Sequence, residues 1–239
     1  MWPGATQEGY ALCSDDGPHA TLARRLQTEP RMSAGDQRLK TVLLFGAPGA
    51  GKGTQGKIIG AIPGFYHMSS GDMFRGLDPE SDLGKTIRKY MTAGELVPDE
   101  VTIDLWKDHV AKMREAKKFD PRTQLLVLDG IPRNVNQAGL LDSVIDVLKV
   151  IHLAFADQNE AVSRLKKRAL KENRADDAKE EVVRRRLDVY REETQPLLDH
   201  YDTSRIADVD AVGSPAEVLV EVLHVLAPIQ AKHFGNALA

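Results

Sequence analysis

Four glycines, a lysine and a threonine fall within nine residues, Gly46-Ala47-Pro48-Gly49-Ala50-Gly51-Lys52-Gly53-Thr54, and together they can hold a polyphosphate. Glycine permits backbone torsions and close approaches that a side chain blocks, so consecutive N–H groups can turn inward around an anion. The phosphates then lie on the positive end of the next helix, where Lys52 is placed to reach the β- and γ-phosphates. A first-turn hydroxyl can ligate magnesium in such a loop. Here Gly53 follows the lysine and the hydroxyl arrives one place later, as Thr54. A glycine-rich turn with no ligand is the competing reading, and the flanks weigh against it. Thr41-Val42-Leu43-Leu44-Phe45 reads as a buried parallel strand, and Gln55-Gly56-Lys57-Ile58-Ile59-Gly60 continues as a helix.

The second chemical signal is Leu125-Leu126-Val127-Leu128-Asp129-Gly130, an apolar run of strand length that ends in a carboxylate. In a parallel sheet that end faces the ligand, and an aspartate there holds magnesium in phosphate-loop enzymes. The alternative is an ordinary Asp-Gly turn. A third signal is a run of cations: Arg164, Lys166, Lys167, Arg168, Lys171 and Arg174, then Arg184, Arg185 and Arg186. Such runs are usually solvated helix faces. Arg164 and Arg168 are four apart, however, so they share a face and can grip a polyphosphate together.

The elements that must position these residues alternate strand and helix. A strand at Gly64–Met68 leads into Ser69-Ser70-Gly71-Asp72, a helix start. A helix over Asp82–Thr92 ends at Gly94, and Pro98 keeps the exit extended. Asp99 is expected to cap a long helix to about Lys117. A strand at Lys149–Ala156 precedes a helix at Glu160–Ala169, and Asp176 and Asp177 are expected to cap a long helix to about Tyr201. Arg205–Val209 is the last strand, and Ser214-Pro215 opens the last helix. Residues 1–39 lack apolar periodicity apart from one turn near Leu22–Leu26 and read as an irregular or disordered extension, with Met32 as a possible start of the functional unit. Residues 227–239 read as a tail with no fold. No internal repeat is visible, and the expected fold is α/β, a parallel sheet wrapped by helices through right-handed crossovers.

Composition narrows the partners. The chain has 239 residues, 42% hydrophobic and 28% charged, which is ordinary for one or two globular domains. A net charge of −3 gives no global basic field, so nucleic acid is not expected and any polyanion site is local. One cysteine, Cys13, excludes an intrachain disulfide and a multi-cysteine zinc site. No apolar run reaches the roughly 20 residues of a membrane helix, and Glu8, Asp15, Asp16 and Glu29 argue against a transit peptide. A cytoplasmic location is expected.

The glycine loop, Ser69-Ser70-Gly71-Asp72-Met73-Phe74-Arg75, Gly94-Glu95-Leu96-Val97-Pro98-Asp99, Asp129-Gly130-Ile131-Pro132-Arg133 and Arg174-Ala175-Asp176-Asp177 occur in this order. With them the chain resembles the adenylate kinases, among the nucleoside monophosphate kinases, over about residues 40–226. The resemblance implies a P-loop kinase with a five-stranded parallel sheet, a nucleoside-monophosphate-binding insertion at 70–98 and a short lid at 168–176. It implies reversible transfer of the γ-phosphoryl group of Mg-ATP to AMP by a monomer, with no structural zinc.

By position, it places Gly49, Ala50, Gly51, Lys52, Gly53 and Thr54 around the ATP phosphates, with Arg164 against the donor base. Arg75 and Arg133 would clamp the acceptor phosphate. Arg168, Arg174 and Arg186 would neutralise the transferring group. Ser70, Leu96, Val97, Gly130 and Gln137 would line the AMP pocket, Gln137 reading the base, while Asp72 and Asp129 would hold magnesium through water. This chain departs from the family's usual pattern at Ile131, where Phe is usual, and at Ala211, where Gly is frequent. One extra residue between Asp177 and Leu187 leaves Arg185 or Arg186 as the catalytic arginine, and register with Leu187 and Tyr190 favours Arg186. The competing functions are a UMP/CMP kinase of the same fold and a non-catalytic nucleotide switch. Neither the Asn-Lys-x-Asp reader of a guanine switch nor the loss of a key cation is found, and Ser70 and Gln137 follow the adenylate form.

Overall fold

The computed structural model describes residues 38–154, 158–172 and 179–236. The turn expected near Leu22–Leu26, Arg174, Asp176 and Asp177 lie outside them, as do residues 173–176 of the expected 168–176 lid. Five strands form one sheet: β1 (Leu39–Gly46), β2 (Phe65–Ser69), β3 (Leu125–Asp129), β4 (Ile145–Ala154) and β5 (Ile206–Asp210). Their order is β2-β3-β1-β4-β5, and every pairing is parallel. β1 and β3 are nearly continuous apolar runs because both of their faces are covered, and β3 is buried throughout. One core cluster includes Leu43, Trp106, Phe119 and Leu128, a second Val42, Ile59, Val127 and Val222, and a smaller third Leu165, Val183 and Leu187. Adjacent residues of β1 and of β3 divide between the first two clusters, as the period of two requires.

Between the strands run α1 (Lys52–Gly60), α2 (Ser70–Arg75), α3 (Asp82–Ala93), α4 (Asp99–Glu115), α5 (Val135–Leu141) and α6 (Gln158–Glu172). Then come α7 (Glu180–Val189), α8 (Leu197–His200) and α9 (Pro215–Phe234). Ser69, Ser81 and Ser214 cap α2, α3 and α9 through their hydroxyls, and Gly94 ends α3 in the left-handed region at φ 75°.

Four boundary expectations are corrected. β1 begins at Leu39, one residue inside the segment assigned to the extension, because Leu39 is buried and its N–H donates to Val144 O at 2.9 Å. The cap position of α4 is Pro98, and the Asp99 carboxylate turns instead to Asn134, Asn136 and Gln137. The long helix expected to Tyr201 starts at Glu180 after Lys179, then opens into a π-turn at Tyr190–Thr194 and resumes as α8 after Pro196. Residues 227–234 are helical: Ile229 and Phe234 pack on the second core, and this packing carries α9 through Pro228, which can donate no backbone bond.

Candidate active site

In the strand order, β3 and β4 flank β1, so the chain diverges to opposite sides of the sheet at the carboxyl end of β1. Open α/β sheets bind ligands at such a point. A cavity of about 560 Å³ opens there. The turn after β1 forms one wall, and two glycines explain its shape. Gly46 has φ 144°, and a Cβ on it would lie 2.6 Å from Leu153 O of β4. Gly51 has φ 93° and serves as the cap residue from which α1 starts at Lys52.

Lys52 folds back onto this turn, its Nζ donating to Gly46 O at 2.5 Å and to Ala47 O at 3.1 Å. Its pKa is lowered to about 8, first by desolvation and further by Arg133, Arg186 and Arg168, with Asp129 acting in the opposite sense. These groups therefore form one electrostatic cluster. Gly49, Ala50, Gly51, Gly53 and Thr54 also line the cavity, and a Cβ on Gly53 would stand 3.5 Å from Asp129 Oδ2.

Asp129 ends β3 and is 7% exposed. His67 of β2 approaches it, Nε2 to Oδ2 at 4.0 Å, and His67 is held against protonation mainly by burial. Its Nε2 is buried without a hydrogen-bond partner. Asp72 of α2 accepts from Arg75 Nη2 at 2.6 Å and lies 3.9 Å from Lys57 Nζ. Magnesium takes oxygen ligands from phosphates, waters and one or two carboxylates. Asp72 and Asp129, both on the cavity wall, suit that demand. No group of three or more His, Cys, Asp or Glu among the described residues forms a protein-only metal site.

The cations arrive on separate elements. Arg133 follows β3 and is fixed on several sides: Nε donates to Gly130 O at 2.9 Å, and its N–H donates to Gln137 Oε1 at 2.8 Å. Arg164 and Arg168 stand on the same face of α6, and both line the cavity. Arg164 Nη1 donates to Ala211 O at 3.2 Å, so the departure at Ala211 still offers its backbone. Arg186 of α7 lines this cavity. Arg185 instead pairs with Glu95, Nε to Oε1 at 2.8 Å, beside a smaller cavity of about 230 Å³.

Arg75, Leu96 and Gly130 also line the main cavity. Ser70, Val97 and Gln137 are buried and not on its wall. Ser70 Oγ donates to Gly130 O at 2.7 Å, Val97 borders the smaller cavity, and Gln137 Nε2 donates to Asp99 Oδ1 at 2.8 Å. Sequence reasoning missed Lys57, Lys167, Tyr190 and Thr194, which line the main cavity. Lys57 comes five residues after Lys52 in α1, on another face of the helix, so helical spacing did not mark it. Nothing in the spacing of Tyr190 and Thr194 announces a π-turn.

The adenylate kinase family model matches residues 44–206. Adenylate kinases of Rhodococcus erythropolis and Nocardia farcinica are each 40% identical over 190 residues, covering 77% of this chain and 98% of theirs. That of Thermobifida fusca is 40% identical over 191 residues, with 77% and 97% covered.

Proposed function

This chain belongs to the adenylate kinase family, and from that premise we propose that its cavity passes the γ-phosphoryl group of Mg-ATP to AMP, giving two ADP. The observation that supports this most is the clustering of Lys52 with Arg133, Arg168 and Arg186 at one cavity, close enough for the arginines to lower the lysine's pKa. The acceptor phosphate is already an anion, so the reaction needs no general base. Catalysis reduces to holding two mutually repelling anions in line and neutralising the equatorial oxygens between them.

Each residue then has a part. Lys52 leaves the Gly46 and Ala47 carbonyls for the β- and γ-phosphates, with the N–H groups of Gly49, Ala50, Gly51 and Gly53 and the Thr54 hydroxyl around them. Arg164 packs on the donor base. Arg75 and Arg133 hold the acceptor phosphate, and Arg168, Arg174 and Arg186 meet the charge of the transferring group. Asp72 and Asp129 hold magnesium through its waters, and the ion supplies further neutralisation of phosphate charge.

Ser70, Leu96, Val97, Gly130 and Gln137 receive the AMP nucleoside. Ser70, Val97 and Gln137 are turned inward, so AMP exchanges protein hydrogen bonds for its own there. Residues 70–98 are the insertion that carries Ser70, Arg75, Leu96 and Val97, and residues 168–176 the short lid that carries Arg168 and Arg174. No helix among the described residues is long and apolar enough to cross a membrane, and a cytoplasmic monomer fits this reading.

A coupled assay with ATP and AMP, CMP or UMP in turn tests the acceptor. A glutamine amide can pair with both N1 and the 6-amino group of adenine. Cytosine offers the same acceptor and donor pair, N3 and its 4-amino group, but on a smaller ring that falls short of an amide set for a purine. An amide left partly unpaired costs about 1–3 kcal/mol, or roughly 5- to 150-fold in kcat/KM. AMP is expected to lead by that margin and Gln137→Ala to erase it. Equal kcat/KM for AMP and CMP in the wild type would overturn the acceptor assignment and leave phosphoryl transfer standing.

A further inference from the structure

Between α7 and α8 the backbone widens into a single π-turn, Tyr190–Thr194, closed by the Gln195 N–H donating to Tyr190 O at 2.8 Å. Such bulges frequently sit at functional sites, where they re-aim side chains that a regular helix would direct elsewhere. Both ends of this one reach the cavity, since Tyr190 and Thr194 line it together with Arg133 and Arg186. At the first end, the Tyr190 hydroxyl lies 3.4 Å from His152 Nε2, and His152 Nδ1 is 2.7 Å from Asp208 Oδ1. With Nδ1–H donating to that carboxylate, a neutral ring offers Nε2 as the acceptor for the tyrosine. Burial pushes the Tyr190 hydroxyl up to about 12, so it keeps its proton. The start of the turn is thereby tied to β4 and β5.

At the second end, Thr194 Oγ1 donates to the backbone carbonyl of Arg133 at 2.7 Å, across 61 positions in the chain. Gln137 already accepts from the N–H of the same residue, and Gly130 O takes its Nε. The backbone of Arg133 is therefore gripped on both its donor and its acceptor side. The grip on the acceptor side comes from the helical segment that also carries Arg186.

We propose that Thr194 is a positioning residue for phosphoryl transfer: through its hydrogen bond to the Arg133 carbonyl, the π-turn fixes Arg133 in register with Arg186 across the cavity. This rests on Arg133 acting in the transfer as proposed above. It goes beyond that reading in giving the turn, and a residue that need not touch substrate, a share in turnover.

Thr194→Val keeps the shape and removes the hydroxyl. It is expected to lower kcat about 5- to 10-fold, the scale of one lost buried hydrogen bond, with KM for ATP within about twofold and Tm within a few degrees. Thr194→Ser restores most of kcat. In an Arg133→Ala background, Thr194→Val costs nothing further, because the group it positions is gone. A wild-type kcat for Thr194→Val beside a crippled Arg133→Ala overturns the inference alone. So does a loss that serine does not rescue, or one that adds in full to Arg133→Ala. An Arg133→Ala variant with undiminished kcat overturns the reading of Arg133 itself.

Discussion

The phosphate loop and the wall facing it share a cavity but are built in opposite ways. The loop is a run of consecutive residues shaped by glycine torsions, and its one cation rests on two carbonyls of the loop itself. The facing wall is drawn from segments 69–75, 94–96 and 129–133, and its polar groups are already satisfied among themselves and by Ser70 and Gln137 buried behind them. Ser70 donates to Gly130, Arg75 to Asp72, and Gln137 links Asp99 to Arg133. A polyphosphate at the loop displaces a single side chain's contacts, whereas a ligand at the wall must trade against a network. Damage to the loop should therefore appear in turnover, and damage to the wall should divide between turnover and selectivity.

The sharpest way to break this contrast is Lys52→Met. Turnover is expected to fall by about 10³-fold or more, because the charge facing the transferred group is lost. Stability should move the other way. Desolvation lowers the amine's pKa to about 8, so at pH 7 its enclosed charge opposes folding, and an uncharged side chain of similar length should keep or raise Tm. Steady-state kinetics and a melting curve on one preparation check both halves. Near wild-type turnover would break the loop assignment.

Next in size is the separation of two adjacent arginines. Arg186→Ala is expected to lower kcat by about 10²-fold, as for the loss of one charge aimed at the transition state. Arg185→Ala removes an exposed pair with Glu95 and should change kcat by less than about threefold. The reverse ranking in the same assay would put the wrong arginine on the cavity.

The smallest effect is one of pH. A free-enzyme amine with a pKa of about 8 loses its proton above that value, so kcat/KM for ATP should fall up to about tenfold per pH unit beyond it. Bound phosphate favours the charged form, so kcat should stay level to higher pH. A profile of kcat/KM that is flat to pH 9.5 would contradict the shift.

Much of this was legible in the sequence for a physical reason. The loop, Asp129 and the strand and helix alternation are local patterns, and the five-stranded parallel sheet follows from them and from the family resemblance. What was not legible depends on contacts between distant segments. Asp99 looked like a helix cap because the sequence alone does not show Asn134, Asn136 and Gln137 arriving beside it. Residues 227–239 read as a tail because the buried face that holds the end of α9 together is supplied by the sheet. Register with Leu187 and Tyr190 already favoured Arg186 over Arg185, and the structure supports it by placing Arg186 on the cavity and Arg185 against Glu95.

The overlooked final turns of α9 have a topological consequence. His233 lies close enough to Lys40 and Asp146 to feel their charges, so the end of the last helix returns to the edge where β1 and β4 begin, opposite the cavity. The described chain is therefore close to a ring. A short linker joining position 234 to position 38, with new termini opened in a surface loop, should give a circularly permuted enzyme whose phosphate loop is untouched.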